Sequence, residues 1–470
     1  MPAMRIVLAL AITLIACTKQ NPNLCCVDEA DCANVGLEET RGCDDGLLCR
    51  GNQCIAEVCA SSAECDADAP YCVFVPDGRC QPACTEDAQC PGFGDAVERT
   101  FCEAGGCVAC RAGMADCSGA TPVCGAQGLC VGCSRNDQCA SGVCVDDGTC
   151  ADESEIGYVS PTGLTTNDCS ATMPCKAVEN ALAIAPNRPF IVIESGTYTT
   201  SASIQLRGVR RLIGRGPTPP LLRRSTNGPI ITLGSGGAAA TIGLEFLDIG
   251  GAVGGGLEDD TGGHGIVCPI DGNATLSLVE SVVRQNQSSG VRIRRCTLKA
   301  TRSQFKQNGV AIASTDSDVD VDASQFTLNT NVLNLDAGSY QITNNFITRN
   351  LGTGIELFLF SSETAKIEFN TIVDNGVGFS CNTIALAMPN NIIARNATET
   401  AGNCTFPNSV MVDSDISPIK FVSPDVTPFD YHIQSGSIAI DAAVRTVDQD
   451  FDGDVRSGDT ADIGADELAP

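Results

Sequence analysis

The chain has 470 residues, a formal charge of −28, no tryptophan, five tyrosines and two histidines. That length allows two or three domains, and so acidic a protein does not hold nucleic acid or an anionic membrane by bulk electrostatics; an anionic partner must meet a local basic patch. The scarcity of tryptophan and histidine leaves little for aromatic sugar platforms or histidine-based catalysis, so the reading leans away from an enzyme.

Residues 1–17 read as an address. Arg5 precedes the apolar run Ile6 to Ile15, too short to span a bilayer and of the length of a secretion signal. The run ends in Leu14-Ile15-Ala16-Cys17, which resembles the lipobox of bacterial lipoproteins. The resemblance implies cleavage before Cys17, lipidation of its thiol and a membrane contact made through that lipid alone. Thr18, where inner-membrane lipoproteins carry Asp, implies the outer membrane or cell surface. Residues 18–24 then form a tether.

Residues 25–152 hold tandem cysteine-rich modules. Of the 29 cysteines, 22 lie between Cys25 and Cys150, and setting Cys17 aside leaves an even number, 28, in a compartment where disulfides persist. Units open as Cys59-x5-Cys65, Cys84-x5-Cys90, Cys110-x6-Cys117 and Cys133-x5-Cys139, and each has too few large apolar residues for a core, so disulfides must replace one. Zinc competes at Cys107-x2-Cys110 and Cys130-x2-Cys133, but the segment contains no histidine, and those spacings fall at unit junctions. The units resemble small EGF-like or Dickkopf-like modules. Their acidity suits a stalk holding the next domain away from the membrane.

Residues 153–432 read as an all-β domain, a parallel β-helix of about ten coils. Asn286, Asn308, Asn329, Asn350, Asn375 and Asn396 recur at intervals of 22, 21, 21, 25 and 21 residues. Three residues before each stands an apolar side chain (Val283, Phe305, Phe326, Ile347, Ile372, Ile393), and five before it a serine or asparagine. Such columns fit stacked coils whose asparagines bond to one another at the turns. The opening from Tyr158 to Tyr198, with a short helix around Val178, Ala181, Leu182 and Ala185, resembles right-handed β-helix proteins of the pectate-lyase-like superfamily, whose helix caps the first coil. Three disulfides are expected: Cys169 with Cys175 in the loop before that helix, and Cys268 with Cys296 and Cys381 with Cys404 between neighbouring coils.

The candidate binding residues are Arg284, Arg292, Arg294 and Lys306. Arg284 and Lys306 both stand two residues before their asparagines and should stack one strand spacing apart, about 4.8 Å, where like charges repel unless an anion lies across them. An anionic polysaccharide along the stack would meet that need; a solvated basic face, partly neutralised by Asp316, Asp318, Asp320 and Asp322, is the competing reading. Asp259-Asp260, Gly263-His264-Gly265 and Arg292-Ile293-Arg294 resemble polygalacturonase signatures, but in that family the acidic pair and the histidine stand one coil apart, whereas here both lie in one glycine-rich loop. No catalytic residue is assigned, and His432 reads as an isolated structural residue.

Residues 433–470 form a tail. Ser437 to Ala442, Asp448 to Arg456 and Asp462 to Glu467 resemble the shared ending of the choice-of-anchor Q family, exported bacterial β-helix proteins that differ in how they are attached. Asp448, Asp450 and Asp452, followed by Gly453, also have the alternate spacing of a calcium loop, against a loop whose aspartates cap turns and pair with Arg456. The whole reads as a surface lipoprotein whose β-helix binds extracellular or cell-wall polysaccharide in adhesion or matrix attachment. A polysaccharide-cleaving enzyme and a structural or protein-binding surface protein are the alternatives.

Overall fold

The computed structural model describes residues 47–50, 53–56, 71–73, 79–81, 84–87, 90 and 101–468, apart from 105, 112–113, 115, 127, 235, 238, 257–258, 360–363, 383–385 and 457–458. The expectations for Cys17, the signal segment and the tether lie outside these residues. The chain divides into two compact units, residues 1–134 with 145–149, and residues 135–144 with 150–470.

The first unit contains short antiparallel hairpins, among them Phe101–Glu103 with Gly106–Val108 and Val123–Cys124 with Cys130–Val131. Disulfides Cys84–Cys102, Cys90–Cys107, Cys110–Cys124 and Cys117–Cys130 staple them. In each of these four-cysteine units, therefore, the first joins the third and the second the fourth. Sulfurs joined in this way are no longer thiolates, so the Cys107/Cys110 and Cys130/Cys133 spacings are junctions between modules and not zinc sites. The buried cluster Cys84, Cys90 and Cys107 stands where larger domains have an apolar core.

The second unit is the parallel β-helix. Its strands fall into three parallel sheets visited in fixed order. Sheet A has nine strands, from Ile156–Leu164 to Thr364–Glu368; sheet B has ten, from Thr197–Thr200 to Val410–Val412; sheet C has nine, from Ile204–Leu206 to Thr398–Gly402. The ten strands of sheet B correspond to ten coils. Alternation within each short strand sends one set of side chains inward. Val283, Phe305, Phe326, Ile347, Ile372 and Ile393 form one fully buried column, with the Phe305 and Phe326 rings stacked 4.8 Å apart.

Sharp corners between sheets B and C keep the coils in register. Gln285, Gln307, Leu328, Arg349, Asp374 and Arg395 adopt left-handed backbone with φ between 53° and 62°, and each precedes a buried ladder asparagine. The Oδ1 of Asn329 accepts both the backbone N–H and the Nδ2–H of Asn308, and its own Nδ2 donates to Phe305 O and to Asn350 Oδ1. This pattern continues coil by coil to Asn396, whose two donors end on the Glu399 carboxylate. A second ladder runs at the corners between sheets A and B through Ser281, Ser303, Ser324, Asn345, Asn370 and Asn391.

The helix Val178–Ile184 packs Val178 and Ala181 over the first coil. The last coil strand is Val410–Val412, so the tail includes the hairpin of Phe421–Ser423 with Asp430–Ile433 and begins before the expected residue 433. It folds onto the outside of sheet B at its later coils. There the outward residues turn apolar, and Phe346, Val373, Ile392 and Ala394 are buried in a separate core with Phe421, Tyr431, Ile433 and Ile463. Disulfides join Cys169–Cys175, Cys268–Cys296 and Cys381–Cys404.

Candidate functional site

The basic residues singled out from the sequence occupy two different sheets. Arg284 and Lys306 are direct partners in sheet B, while Arg292 and Arg294 lie on the strand Ser289–Arg294 of sheet C. Arg284 does not wait for an anion. Asp248, one coil earlier, grips its guanidinium through Nε and Nη2 at 2.9 Å, which neutralises half of the expected like-charge stack. Arg292 and Arg294 both meet Asp260, which the glycine-rich loop brings down onto their strand. Arg302 pairs with Glu280, and Lys299 with Asp320 at 3.8 Å. The expected anionic-polysaccharide patch at Arg284, Arg292, Arg294 and Lys306 is therefore divided between two faces and largely paired with carboxylates, with Lys306 the one member that makes no ion pair among the described residues.

The glycine-rich loop is wired for structure. His264 is fully buried; its Nδ1 accepts Ser289 N–H at 3.1 Å and its Nε2 bonds the Asp259 carbonyl oxygen at 2.9 Å. Burial lowers its pKa, so the ring is neutral and serves as a strut between loop and strand. The Asp259 carboxylate closes its own turn onto Thr261. The residues of the polygalacturonase resemblance thus do converge, but their contacts are with one another and with the neighbouring Thr261 and Ser289.

A groove of about 330 Å³ lies instead on the outer face of sheet A, lined by Asp318, Asp320, Gln341, Thr364 and Lys366 among others. Its side chains come one per coil. Lys299 pairs in register with Asp320, Asp320 with Gln341, and Gln341 with Lys366. Beside this file runs a second one, Thr297, Asp318, Ser339 and Thr364. The inward neighbours Val319 and Val321 anchor the strand, so the aspartates point out together. Burial raises the Asp320 carboxyl above its ordinary value, with Lys299 opposing and Asp322 adding to the rise. At one end the tail borders the groove, where Lys366 Nζ reaches Glu368 at 2.9 Å and the Thr446 carbonyl at 3.4 Å. The sequence did carry a signal for this face. Lys299, Asp320, Gln341 and Lys366 each stand nine residues before their ladder asparagine.

In the tail, the three alternate aspartates do not converge on a calcium loop. Asp448 is exposed and meets Arg445 at 2.7 Å. Asp450 is buried and spends its oxygens on the backbone N–H groups of Asp452, Asp454 and Glu467. Asp452 turns to His432, 3.0 Å from its Nε2. Nor does Arg456 pair with these aspartates. It is fully buried, bonded to Glu467, Asn344 and the carbonyls of Asp462 and Gly464, and stacked 4.5 Å over Phe369. His432, expected to be isolated, has Asp430, Asp452 and Asp466 around it; burial works to lower its pKa, but the three carboxylates raise it above the ordinary value. Burial pushes the Asp466 carboxyl up to about 6.

No family model matches the chain, and no curated protein matches it. Among solved structures, pectate lyase Pel9A aligns with a TM-score of 0.49 at 14% identity, over 68% of this chain and 100% of that one. A rhamnogalacturonan lyase aligns with a TM-score of 0.39 at 10% identity, over 65% and 95% of the two chains. The pectin methylesterase from Aspergillus niger aligns at 0.27 and 8%, over 56% and 86%. At these identities and scores the likenesses assign no activity.

Proposed function

We propose that this is a surface-anchored protein whose β-helix binds polysaccharide along the outer face of sheet A, in adhesion or matrix attachment. The supporting observation is the file Lys299, Asp320, Gln341 and Lys366, flanked by Thr297, Asp318, Ser339 and Thr364, repeating at the strand spacing of about 4.8 Å. Each sugar hydroxyl is both donor and acceptor, and carboxylate, ammonium, amide and hydroxyl groups alternating along one line offer both. A repeating surface suits a repeating ligand. Along the file Lys299 and Lys366 face Asp318, Asp320 and Glu368, so it offers no excess positive charge to a polyanion and the favoured ligand is a neutral polysaccharide. The anionic ligand expected from Arg284 and Lys306 loses its support once Asp248 holds Arg284, and a protein of charge −28 repels polyanions at long range.

The anchoring half of the proposal rests on the lipobox at Cys17 and on the disulfides, which persist in exported proteins. Mass spectrometry of the membrane fraction tests it: a diacylated Cys17 peptide is expected, and an unmodified Cys17 would remove the anchor. For the ligand, the ectodomain is incubated with neutral and charged polysaccharides and calcium, then run on a sizing column. Co-elution with a neutral polysaccharide of unchanged length is expected. Shortened chains would replace binding with cleavage.

A further inference from the structure

We propose that His432, Asp452 and Asp466 form a binding site for one transition-metal dication of the zinc class, which cross-links three segments of the tail. One ring nitrogen and one oxygen from each carboxylate lie within 4.8 Å of one another. A tetrahedral zinc with bonds of about 2.0–2.2 Å holds its donors roughly 3.3 Å apart, so a small contraction closes the site, and Asp452, about half exposed, is free to make it.

The histidine is set for this role. Asp430 takes its Nδ1 at 2.5 Å, the carboxylate–histidine arrangement that orients a ligating imidazole and leaves Nε2 as the donor. Nε2 is out of contact with solvent and makes no hydrogen bond, although Asp452 Oδ2 stands 3.0 Å away. Nε2 thus meets Asp452 as an ion pair without an aligned hydrogen bond, in a position that an ion shared with the carboxylates would fill. Phe346 and Phe451 close the ring in edge-on at 4.9 and 6.0 Å, a dry wall of the kind that surrounds metal centres. One nitrogen and two oxygens select zinc-like ions over calcium and magnesium, which take oxygen alone.

The three ligands come from different pieces of the tail. His432 lies in the hairpin strand Asp430–Ile433, Asp452 in the loop that looked like a calcium loop, and Asp466 in the final segment beside Arg456. The inference is independent of the polysaccharide reading, because the site faces sheet B and the tail core.

The test is titration of the chelator-treated ectodomain with Zn²⁺ and, separately, Co²⁺. One equivalent bound, a melting temperature that rises with metal concentration, and a visible Co²⁺ absorption band that Zn²⁺ displaces are expected. Asp452→Ala, at an exposed position, should keep the fold and weaken binding at least tenfold, and Asp430→Ala should weaken it by about 10–100-fold. Asp448→Ala should change nothing. Absence of a stoichiometric Co²⁺ band, or equal binding by Asp452→Ala and the parent, overturns the site.

Discussion

At the scale of single residues, the asparagine ladder holds the coils in register. Asn329 satisfies two donors of Asn308 and places its own Nδ2 between Phe305 O and Asn350 Oδ1, all in a fully buried setting. Asn329→Ala leaves those groups unpaired away from water, and the expected loss is about 3 kcal/mol of unfolding free energy, measured by urea titration. Leu328, one residue earlier, sits half exposed in left-handed backbone at φ 59°. Leu328→Gly relieves a steric penalty of about 1–2 kcal/mol and should leave stability equal or up to about 1 kcal/mol higher, since the flexibility of glycine offsets part of the gain. In the same assay, then, the first substitution should cost stability and its neighbour should not. At the ladder's end, Glu399→Gln would set an amide NH₂ against one of the two donors of Asn396, and a loss of about 1–2 kcal/mol is expected.

At the scale of elements, the tail is the part whose sequence and structure diverge most. The columns of the coils were legible because one side chain repeats at a near-constant interval, so Val283 to Ile393 and Asn286 to Asn396 could be placed from number alone. The tail repeats nothing. The partners of Arg456 (Asn344, Phe369 and Glu467) are brought together only when the tail lies across sheet B. For the same reason the alternate aspartates suggested calcium, although Asp450 is consumed by three backbone N–H groups. The coil with Asp248 was likewise out of reach, because the glycine-rich insertion between Gly250 and Gly265 breaks the interval that would have set Asp248 beside Arg284. The physical role of Arg456 gives a sharp prediction. Lysine keeps a charge for Glu467 but cannot also reach Asn344 and the carbonyls of Asp462 and Gly464, so Arg456→Lys should loosen the tail, at a cost of about 2–3 kcal/mol for buried acceptors left unpaired. Limited proteolysis should then cut between Ala443 and Ala461 at protease levels that spare the parent; equal resistance would show that the tail is held by its apolar core alone.

At the scale of the whole molecule, two surfaces of the β-helix are candidates for the proposed ligand. The sheet B face with Arg284 and Lys306 attracted notice because charge runs are conspicuous in a sequence of charge −28. On the sheet A face only the row Asp316, Asp318, Asp320 and Asp322 stood out, as a counter-charge to the basic cluster, while Gln341, Thr364 and Lys366 read as ordinary solvated residues until their common offset from the ladder aligns them. Carboxylates answer most of the first, while the second forms a groove with one row of side chains per coil, and the proposal places the ligand on the second. Salt dependence should follow the same division. Binding of a neutral polysaccharide through hydroxyl-directed hydrogen bonds should weaken little between low and physiological salt, whereas a polyanion on the basic face should be lost steeply.

The most direct measurement is therefore calorimetric titration of one neutral polysaccharide that co-elutes with the protein into three proteins: the parent, Asp320→Ala with Gln341→Ala, and Arg284→Ala with Lys306→Ala. Loss of about 1.5–3 kcal/mol of binding, tenfold or more in Kd, is expected for the first pair, with an unchanged Kd for the second. The reverse pattern would contradict the assignment and return the site to sheet B.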